Sequence, residues 1–398
     1  MFRLKLEDVR TLLGTLASDK STRSRMQMEA SRSILIPDGE SDLALRVLRC
    51  LAEVRHFKVA ILSRDARAAI RFSRHCHRFL THTVDGFNRE RIEAIKEAAK
   101  QVQADIIIPA GLASIRMIAE YKGELAAVAT IPPTASVHML DAFSDKLLFA
   151  QLLEQHGIPY PKIQQLDGGT FRENPIAAIK FPVLVKPRNL EAGSGIRLCH
   201  SPTQVEKYLA SHDDPHNFFV QEFVQGPDVG CSVIAKEGEV LAYTIQEGII
   251  SSHKPFNSPA VVKFVQHQGV IDSIRKLVQA TRWSGVVNFD LVIDGETNEP
   301  KVLEANPRYW RSLLGSLVAG VNFPYIACLV SEGCKVTDYA YRGIRYAKPD
   351  AALGFLVGSW FGQNSRRATL EESGLLYLLR DPIPDIAIQL KRLRPKSR

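Results

Sequence analysis

No run of about 18 consecutive apolar residues occurs in this chain, so nothing in it reads as a membrane-spanning helix. The stretch Met1–Arg10 alternates charged and apolar residues and lacks the apolar core of a secretory signal. The six cysteines (Cys50, Cys76, Cys199, Cys231, Cys328, Cys334) are scattered and form no C-x-x-C pair. That argues against structural zinc and for free thiols in a reducing cytoplasm. No G-x-G-x-x-G follows the first apolar strand, and no G-x-x-x-x-G-K-[ST] accompanies the later glycines. A dinucleotide fingerprint and a P-loop are both excluded. The basic residues form no stripe interleaved with aromatics, so nucleic acid is not indicated as a partner.

What is present is a soluble, globular composition: 398 residues, 45% hydrophobic and 24% charged. That length implies two or three domains. Lys and Arg total 51 against 43 Asp and Glu, a net charge of +8. The excess favours anionic partners, of which nucleotide phosphates and an acidic substrate are two. The densest basic run, Lys391 to Arg398, reads either as a solvated tail or as a binding element.

Residues 1–32 read as an amphipathic helix (Leu4, Val9, Leu12, Leu13, Leu16) followed by a polar stretch, an appendage to which no chemistry is assigned. From Ser33, strands at Ile34–Pro37, Lys58–Leu62 and Asp105–Pro109 alternate with helices at Asp42 to about Val54, Arg91–Val102 and Ala113–Tyr121. Such alternation predicts a small parallel sheet. Pro109-Ala110-Gly111 either lines a substrate site at the carboxyl end of its strand or is a plain strand-to-helix turn. A helix from Leu140 to His156 stops at Gly157, with Pro159 and Pro161 beyond. Lys146, placed after Ser144-Asp145, opposes the dipole of a helix start and requires exposure or a bound anion.

The strand Phe181–Pro187 carries Lys186, unusual for an apolar strand because lysine is rarely buried without a partner. Gly193-Ser194-Gly195 follows, either a simple turn or a loop whose backbone N–H groups close over phosphates. Strand Phe218–Val224, then Gln225-Gly226-Pro227-Asp228, then strand Cys231–Ala235 reads as a hinge between two subdomains. A helix over Val270–Thr281 leads to a hairpin, Val287–Gly295 and Lys301–Arg308. Period two places Asn288 and Asp290 on one face and Phe289 and Leu291 on the other. On the returning strand Glu304 and Asn306 share a face, with Leu303 and Ala305 behind. If the polar faces coincide, hard oxygen donors with few carboxylates converge, a set suited to Mg²⁺. The alternative is a hairpin with one solvated face.

Lys146, Lys186, Gly193-Ser194-Gly195, Gln221 to Asp228, Asp290 and Glu304-Ala305-Asn306-Pro307-Arg308 occur in this order. Together they resemble the ATP-grasp superfamily, in particular its carboxylate–amine ligases and the carbamoyl-phosphate synthase large subunit. The likeness covers Ser33 to Cys334. It implies an α/β and α+β chain: a Rossmann-like pre-ATP-grasp domain (33–135), then an ATP-grasp fold of two subdomains (136–225 and 226–334). Residues 1–32 remain an appendage and 335–398 a C-terminal extension. Lys146 and Lys186 match positions that contact ATP phosphates, and Gly193, Ser194 and Gly195 match the covering loop. Gln221, Glu222 and Val224 match the hinge segment at the adenine edge, and Asp228 the acid that holds ribose hydroxyls. Asp290, Glu304 and Asn306 match the ligands of Mg²⁺ or Mn²⁺.

The implied activity is an ATP- and Mg²⁺-dependent ligation of a carboxylate to an amine, an amino acid or similar, through an acyl phosphate. Another ATP-grasp chemistry (a small-molecule kinase, a carboxylating enzyme) and a non-catalytic ATP-binding module are the alternatives. One departure stands out. Many peptide-forming relatives place an arginine two residues before the metal-binding aspartate, and here that residue is Asn288. Arg308 and Arg311 are the nearest substitutes, with Arg308 expected beside the acyl phosphate. Expected partners are ATP and small carboxylate and amine substrates in the cytoplasm, with a homodimer compatible. The Leu375–Leu379 run with its basic tail is expected to pack on the catalytic core, or else to serve as a membrane-surface or partner helix.

Overall fold

The computed structural model describes residues 31–166, 179–188, 194–250, 258–336, 339–349, 351–360 and 369–393. Of the predicted features, most of the N-terminal appendage, Gly193 and residues 251–257 lie outside these. Three sheets organise the rest.

The first sheet is parallel, with strands β1 (Arg32–Ile36), β2 (Phe57–Ser63), β3 (Cys76–Thr81) and β4 (Ile106–Ile107) in the order β3-β2-β1-β4. Strands β1, β2 and β4 are largely apolar on both faces, as a doubly covered sheet requires. Ile34, Ile36, Val59 and Ile61 pack with Leu48 and Leu51 of the helix Ala44–Ala52. Leu35, Ala60 and Leu62 pack with Ile92 and Ile95 of the helix Arg89–Gln101 and Ile118 of the helix Leu112–Glu120. The order and the two helical layers make this unit Rossmann-like. Strand β3 is not foreseen in the sequence because His77 and Arg78 break its apolar pattern. It is an edge strand with a half-exposed surface, so pairing with β2 suffices to hold it.

The second sheet is antiparallel: β5 (Ile163–Gln165), β6 (Val183–Pro187), β7 (Arg197–Cys199) and β8 (Phe218–Glu222), ordered β5-β8-β6-β7. Val183, Val185, Phe218 and Val220 bury against Val205 and Leu209 of the helix Pro202–Leu209. The third sheet holds β9 (Asp228–Lys236), β10 (Glu239–Ile250), β11 (Val261–Val265), β12 (Gly285–Ile293), β13 (Pro300–Asn306) and β14 (Arg345–Ala347). Its order is β13-β12-β9-β10-β11-β14, antiparallel throughout. Val233, Phe289 and Leu291 face the helix Gln268–Ala280 and the helices Val137–Ser144 and Lys146–Gln155. There Phe143 stacks on Trp283 with ring centroids 4.2 Å apart.

Three expectations need correction. The single helix from Leu140 to His156 is two helices broken at Asp145, whose extended backbone (φ −84°, ψ 119°) ends one and caps the next. The six-stranded sheet contains β11 and takes β14 from beyond Cys334, outside the expected second subdomain. On β13 the core residues are Val302 and Ala305, not Leu303 and Ala305. Asp290 pairs with Glu304 but Leu291 pairs with Val302. Leu303 is therefore the extra residue of a β-bulge, a feature common beside functional sites.

One core cluster runs from the first sheet into the six-stranded sheet, through the helices Leu313–Ala319 and Phe323–Ser331. These helices are apolar, but they meet at 83° and are largely buried; among the described residues no single helix is long and apolar enough to cross a membrane. Tyr377, on the helix Leu375–Arg380, inserts into the same cluster. The helix Pro382–Leu393 then docks on the first unit rather than on the two antiparallel sheets. There the buried Asp381 accepts from Ser73 Oγ at 2.7 Å, Arg74 N at 3.0 Å and Arg49 Nε at 3.4 Å.

Candidate active site

The hairpin β12–β13 puts Asn288 opposite Asn306 and Asp290 opposite Glu304. The predicted polar faces do coincide. Asn306 Nδ2 donates to Asp290 Oδ2 at 3.2 Å and to Glu304 Oε1 at 3.3 Å, while Asn288 Nδ2 donates to Asp290 Oδ1 at 3.1 Å. Phe289, 0% exposed, and Leu291, 1%, seal the opposite face. Burial, and then the neighbouring Glu304 charge, push the Asp290 carboxyl well above the usual carboxylate range. Burial acts against Glu304 too, but the Lys146 ammonium, hydrogen bonds from Asp290 and Asn306, and Lys186 outweigh it and keep it low.

The two lysines come from elsewhere. Lys186 is the penultimate residue of β6 in the four-stranded sheet. Burial pulls its ammonium down to about 8; Glu304 opposes the shift, Lys146 adds to it, and Asp228 and Asp290 oppose it again. Those influences reach Lys186, on the four-stranded sheet, from the six-stranded sheet and from a helix start, so these five charged groups lie near one another. Lys146 is the first residue of its helix. Asp145 explains why a cation is tolerated there: it accepts from Leu147 N at 2.9 Å and Leu148 N at 3.1 Å, capping the helix with a negative charge. Arg188 Nη2 pairs with Asp145 at 3.0 Å, and the Arg188 carbonyl accepts from Lys146 Nζ at 3.3 Å. Asp145 and Arg188 were missed as site residues, although an aspartate just before a helix is an N-cap signal.

Gln221 is buried in β8, and its Oε1 has no partner among the described residues. The Glu222 carboxylate accepts from Lys162 N at 3.1 Å and lies 3.7 Å from Lys301 Nζ. Its side chain is thus committed to the sheet edge. Val224 is half-buried in the connection from β8 to β9. That connection is stitched to the hairpin: Gly295 N donates to Gln225 O at 2.9 Å and Ile293 N to Pro227 O at 3.1 Å. Gly226 passes so close that a Cβ there would lie 1.8 Å from the Ile293 carbonyl oxygen. Asp228 opens β9, its carboxyl raised by burial and partly restored by Lys186. In the β6–β7 loop Ser194 and Gly195 are described; Gly195 has φ +72°, which favours glycine, and its carbonyl accepts from Tyr208 OH at 3.0 Å.

Asn288, standing where an arginine was expected, is an orienting residue. Its Oδ1 accepts from Ser232 Oγ on β9 at 2.9 Å, which turns its amide nitrogen toward Asp290. Ser232 was not singled out, since only the β9–β12 register brings it to Asn288. Arg308 lies at the end of the metal-type face, with Nη2 donating to Asn306 Oδ1 at 3.2 Å and Nη1 to Tyr309 O at 3.0 Å. It also lines a cavity of about 530 Å³ together with Asp38, Glu40, Gly111, Arg116 and Arg311. Pro109-Ala110-Gly111 therefore does more than turn the chain. Ala110 N and Gly111 N donate to Asp38 at 3.1 and 2.7 Å, and burial pushes that carboxyl up to about 6.

Two adjacent carboxylates, one of them unable to ionise easily beside the other, form a site that a divalent cation fits. Asp290 and Glu304 supply hard oxygens, and Asn306 adds an amide oxygen once its side chain turns over, since it presents nitrogen to both carboxylates. A set with only two carboxylates leaves positions for water and phosphate oxygens, as Mg²⁺ prefers.

Residues 143–312 match the model of the ATP-grasp domain. The arginine-specific carbamoyl phosphate synthase large chain of Bacillus subtilis is 27% identical over 212 residues, 51% of this chain and 20% of that one. The chain thus spans about a fifth of that relative's length. Among solved structures, N5-carboxyaminoimidazole synthetase from Staphylococcus aureus superposes with a TM-score of 0.60 at 15% identity, covering 85% of this chain and 90% of the other. The biotin carboxylase domain of the Hydrogenobacter thermophilus 2-oxoglutarate carboxylase, complexed with MgADP and bicarbonate, gives a TM-score of 0.59 at 15% identity, covering 79% and 73%. The hairpin, the strand lysine, the matched segment and the shared fold lead to one conclusion: residues 143–312 of this chain are an ATP-grasp domain.

Proposed function

We propose that this protein is a ligase that uses ATP and Mg²⁺ to join a small carboxylate to an amine through an acyl phosphate. One observation carries the reading: Lys146 and Lys186 from one side and Asp290 and Glu304 from the other meet at a single place, and Arg308 connects that place to a 530 Å³ cavity. Lys146 and Lys186 hold the phosphate oxygens of ATP, and Ser194 and Gly195 belong to the loop that covers them. Gln221, Glu222 and Val224 frame the base, and Asp228 takes the ribose hydroxyls. The buried Gln221 Oε1, with no partner among the described residues, is an acceptor suited to an exocyclic amine. Asp290, Glu304 and Asn306 hold Mg²⁺, which when bound stabilises the charge that builds on phosphoryl oxygen.

The acid lies in the cavity with its carboxylate toward Arg308 and Arg311. A carboxylate oxygen bonds to the γ-phosphorus as the bond to the β-phosphate oxygen breaks and ADP leaves. The amine nitrogen then bonds to the acyl carbon and expels phosphate, giving its proton to solvent or a nearby carboxylate. Arg308 offsets charge on the acyl phosphate, the task an arginine at position 288 would otherwise perform. Asp38, Glu40 and Asp42 on the same wall favour a cationic or amino-bearing partner. Positioning and fixed charge supply most of the rate, as in other phosphoryl transfers.

The test is a screen of acids and amines for ADP release with hydroxylamine present. The correct acid should yield a hydroxamate without any amine. Lys186→Ala should cut hydroxamate and ADP together, and Arg308→Ala should cut hydroxamate more than ADP. A phosphorylated product with no condensed product would instead make this a kinase.

A further inference from the structure

The helix Pro382–Leu393 has two unlike faces. On the inner face Pro384 is buried, Ile388 packs against the main core cluster and Asp385 reaches Arg49. On the outer face Ile383, Ile386 and Leu390 are 56%, 55% and 58% exposed, and Leu379, one turn earlier on the preceding helix, is 63% exposed. At 100° per residue Ile383, Ile386 and Leu390 fall within about 60° of one another. A stripe of aliphatic side chains on a helix otherwise anchored by buried ion pairs is not a leftover of loose packing, since the inner face already secures the element.

The charge around the stripe is mostly positive. From Pro382 to Arg398 the only acid is Asp385, turned inward, whereas Lys391, Arg392, Arg394, Lys396 and Arg398 follow the stripe. Lys391 reaches Asp65 at 2.7 Å. The helix packs on the turn Ala69–Phe72, and around that turn Arg67, Arg71 and Arg74 are exposed. Phe72, on the turn itself, is exposed too. The patch therefore joins exposed aliphatic and aromatic groups to a basic surround.

We propose that this face is a peripheral membrane-binding surface that lies on an anionic bilayer, with Leu379, Ile383, Ile386 and Leu390 entering the headgroup boundary and the basic residues meeting lipid phosphates. The charge pattern selects this occupant. A second copy would bring two basic surrounds together, whereas an anionic lipid surface complements both the stripe and its charge. Such binding would hold the catalytic sheets at a membrane surface, and it is independent of the reaction proposed above.

The full chain should be mixed with phosphatidylcholine–phosphatidylglycerol vesicles and with pure phosphatidylcholine vesicles, and bound protein measured by flotation. Binding to the mixed vesicles should exceed binding to the neutral ones by about tenfold or more and weaken as salt rises. Ile386→Asp should reduce it by about tenfold, with an unchanged circular dichroism spectrum because the side chain is solvent-facing. Replacing Arg392, Arg394, Lys396 and Arg398 with Gln should lower binding as well. Leu390→Trp should show a blue-shifted fluorescence on anionic vesicles only. Equal flotation of wild type and Ile386→Asp would overturn the proposal. So would absent vesicle binding with a dimer in sedimentation velocity that Ile386→Asp abolishes, which would make a second copy the occupant.

Discussion

Asp290 and Glu304 face each other across β12 and β13 immediately beside the bulge at Leu303. The bulge lets Val302 and Ala305 fill the core while Glu304 and Asn306 still point with Asp290 toward the lysines. Without it, a strict alternation would send either the core residues or the ligands to the wrong side.

Glu304→Gln keeps the shape and hydrogen-bonding capacity of the side chain but removes one anionic oxygen donor. Turnover should fall by about 100-fold or more at ordinary Mg²⁺, with the melting temperature unchanged or slightly raised, because Asp290 loses a repelling neighbour. A Mg²⁺ titration of ADP release checks this. Wild-type activity at low Mg²⁺ would remove the hairpin from the mechanism.

Lys186 gives a pH dependence with a definite sign. Its folded value of about 8 lies below the ordinary 10.5. Its protonated form therefore costs stability at pH below about 8, and the cost fades as pH rises toward 10.5. Bound phosphates favour the charged form, so ATP affinity should be constant below about pH 8 and weaken above it, by up to about tenfold per unit. Isothermal titration of wild type and Lys186→Met should show the slope only in the former.

Gly226→Ala tests the close approach of the β8–β9 connection to the hairpin turn. Its Cβ would meet the Ile293 carbonyl oxygen at 1.8 Å, a clash with backbone that no rotamer relieves. The change should cost about 1–3 kcal/mol and weaken nucleotide binding, since the connection separates the two sheets. Urea denaturation and ATP titration together measure it; unchanged values in both would contradict the observed contact.

Asp381→Ala should loosen the C-terminal helix. It leaves Ser73 Oγ and Arg74 N without their acceptor, and Arg49 with only the Asp385 carboxylate and the backbone carbonyl of residue 381. A loss of about 3 kcal/mol is expected for breaking one side of a buried pair. Hydrogen exchange should rise over Pro382–Leu393 and the turn Ala69–Phe72 while the hairpin β12–β13 stays protected.

The sequence alone carried the alternating pattern of the first unit, the hairpin's polar and apolar faces, and the ordered lysines, carboxylates and glycines. All of these are local: period, turn residues and side-chain type are readable within a few neighbours. Tertiary structure decided what depends on distant partners. The break at Asp145 arises because its carboxylate caps a helix and pairs with Arg188, 43 positions on. The choice of Val302 over Leu303 for the core follows from the pairing of β12 with β13 across a bulge. The role of Asn288 depends on Ser232, brought alongside only by the β9–β12 register. The cavity joining Asp38 and Gly111 to Arg308 exists because the first unit and the six-stranded sheet share one core, so residues more than 190 positions apart become neighbours. A one-dimensional pattern records which face a side chain takes; which other face it meets is settled by packing.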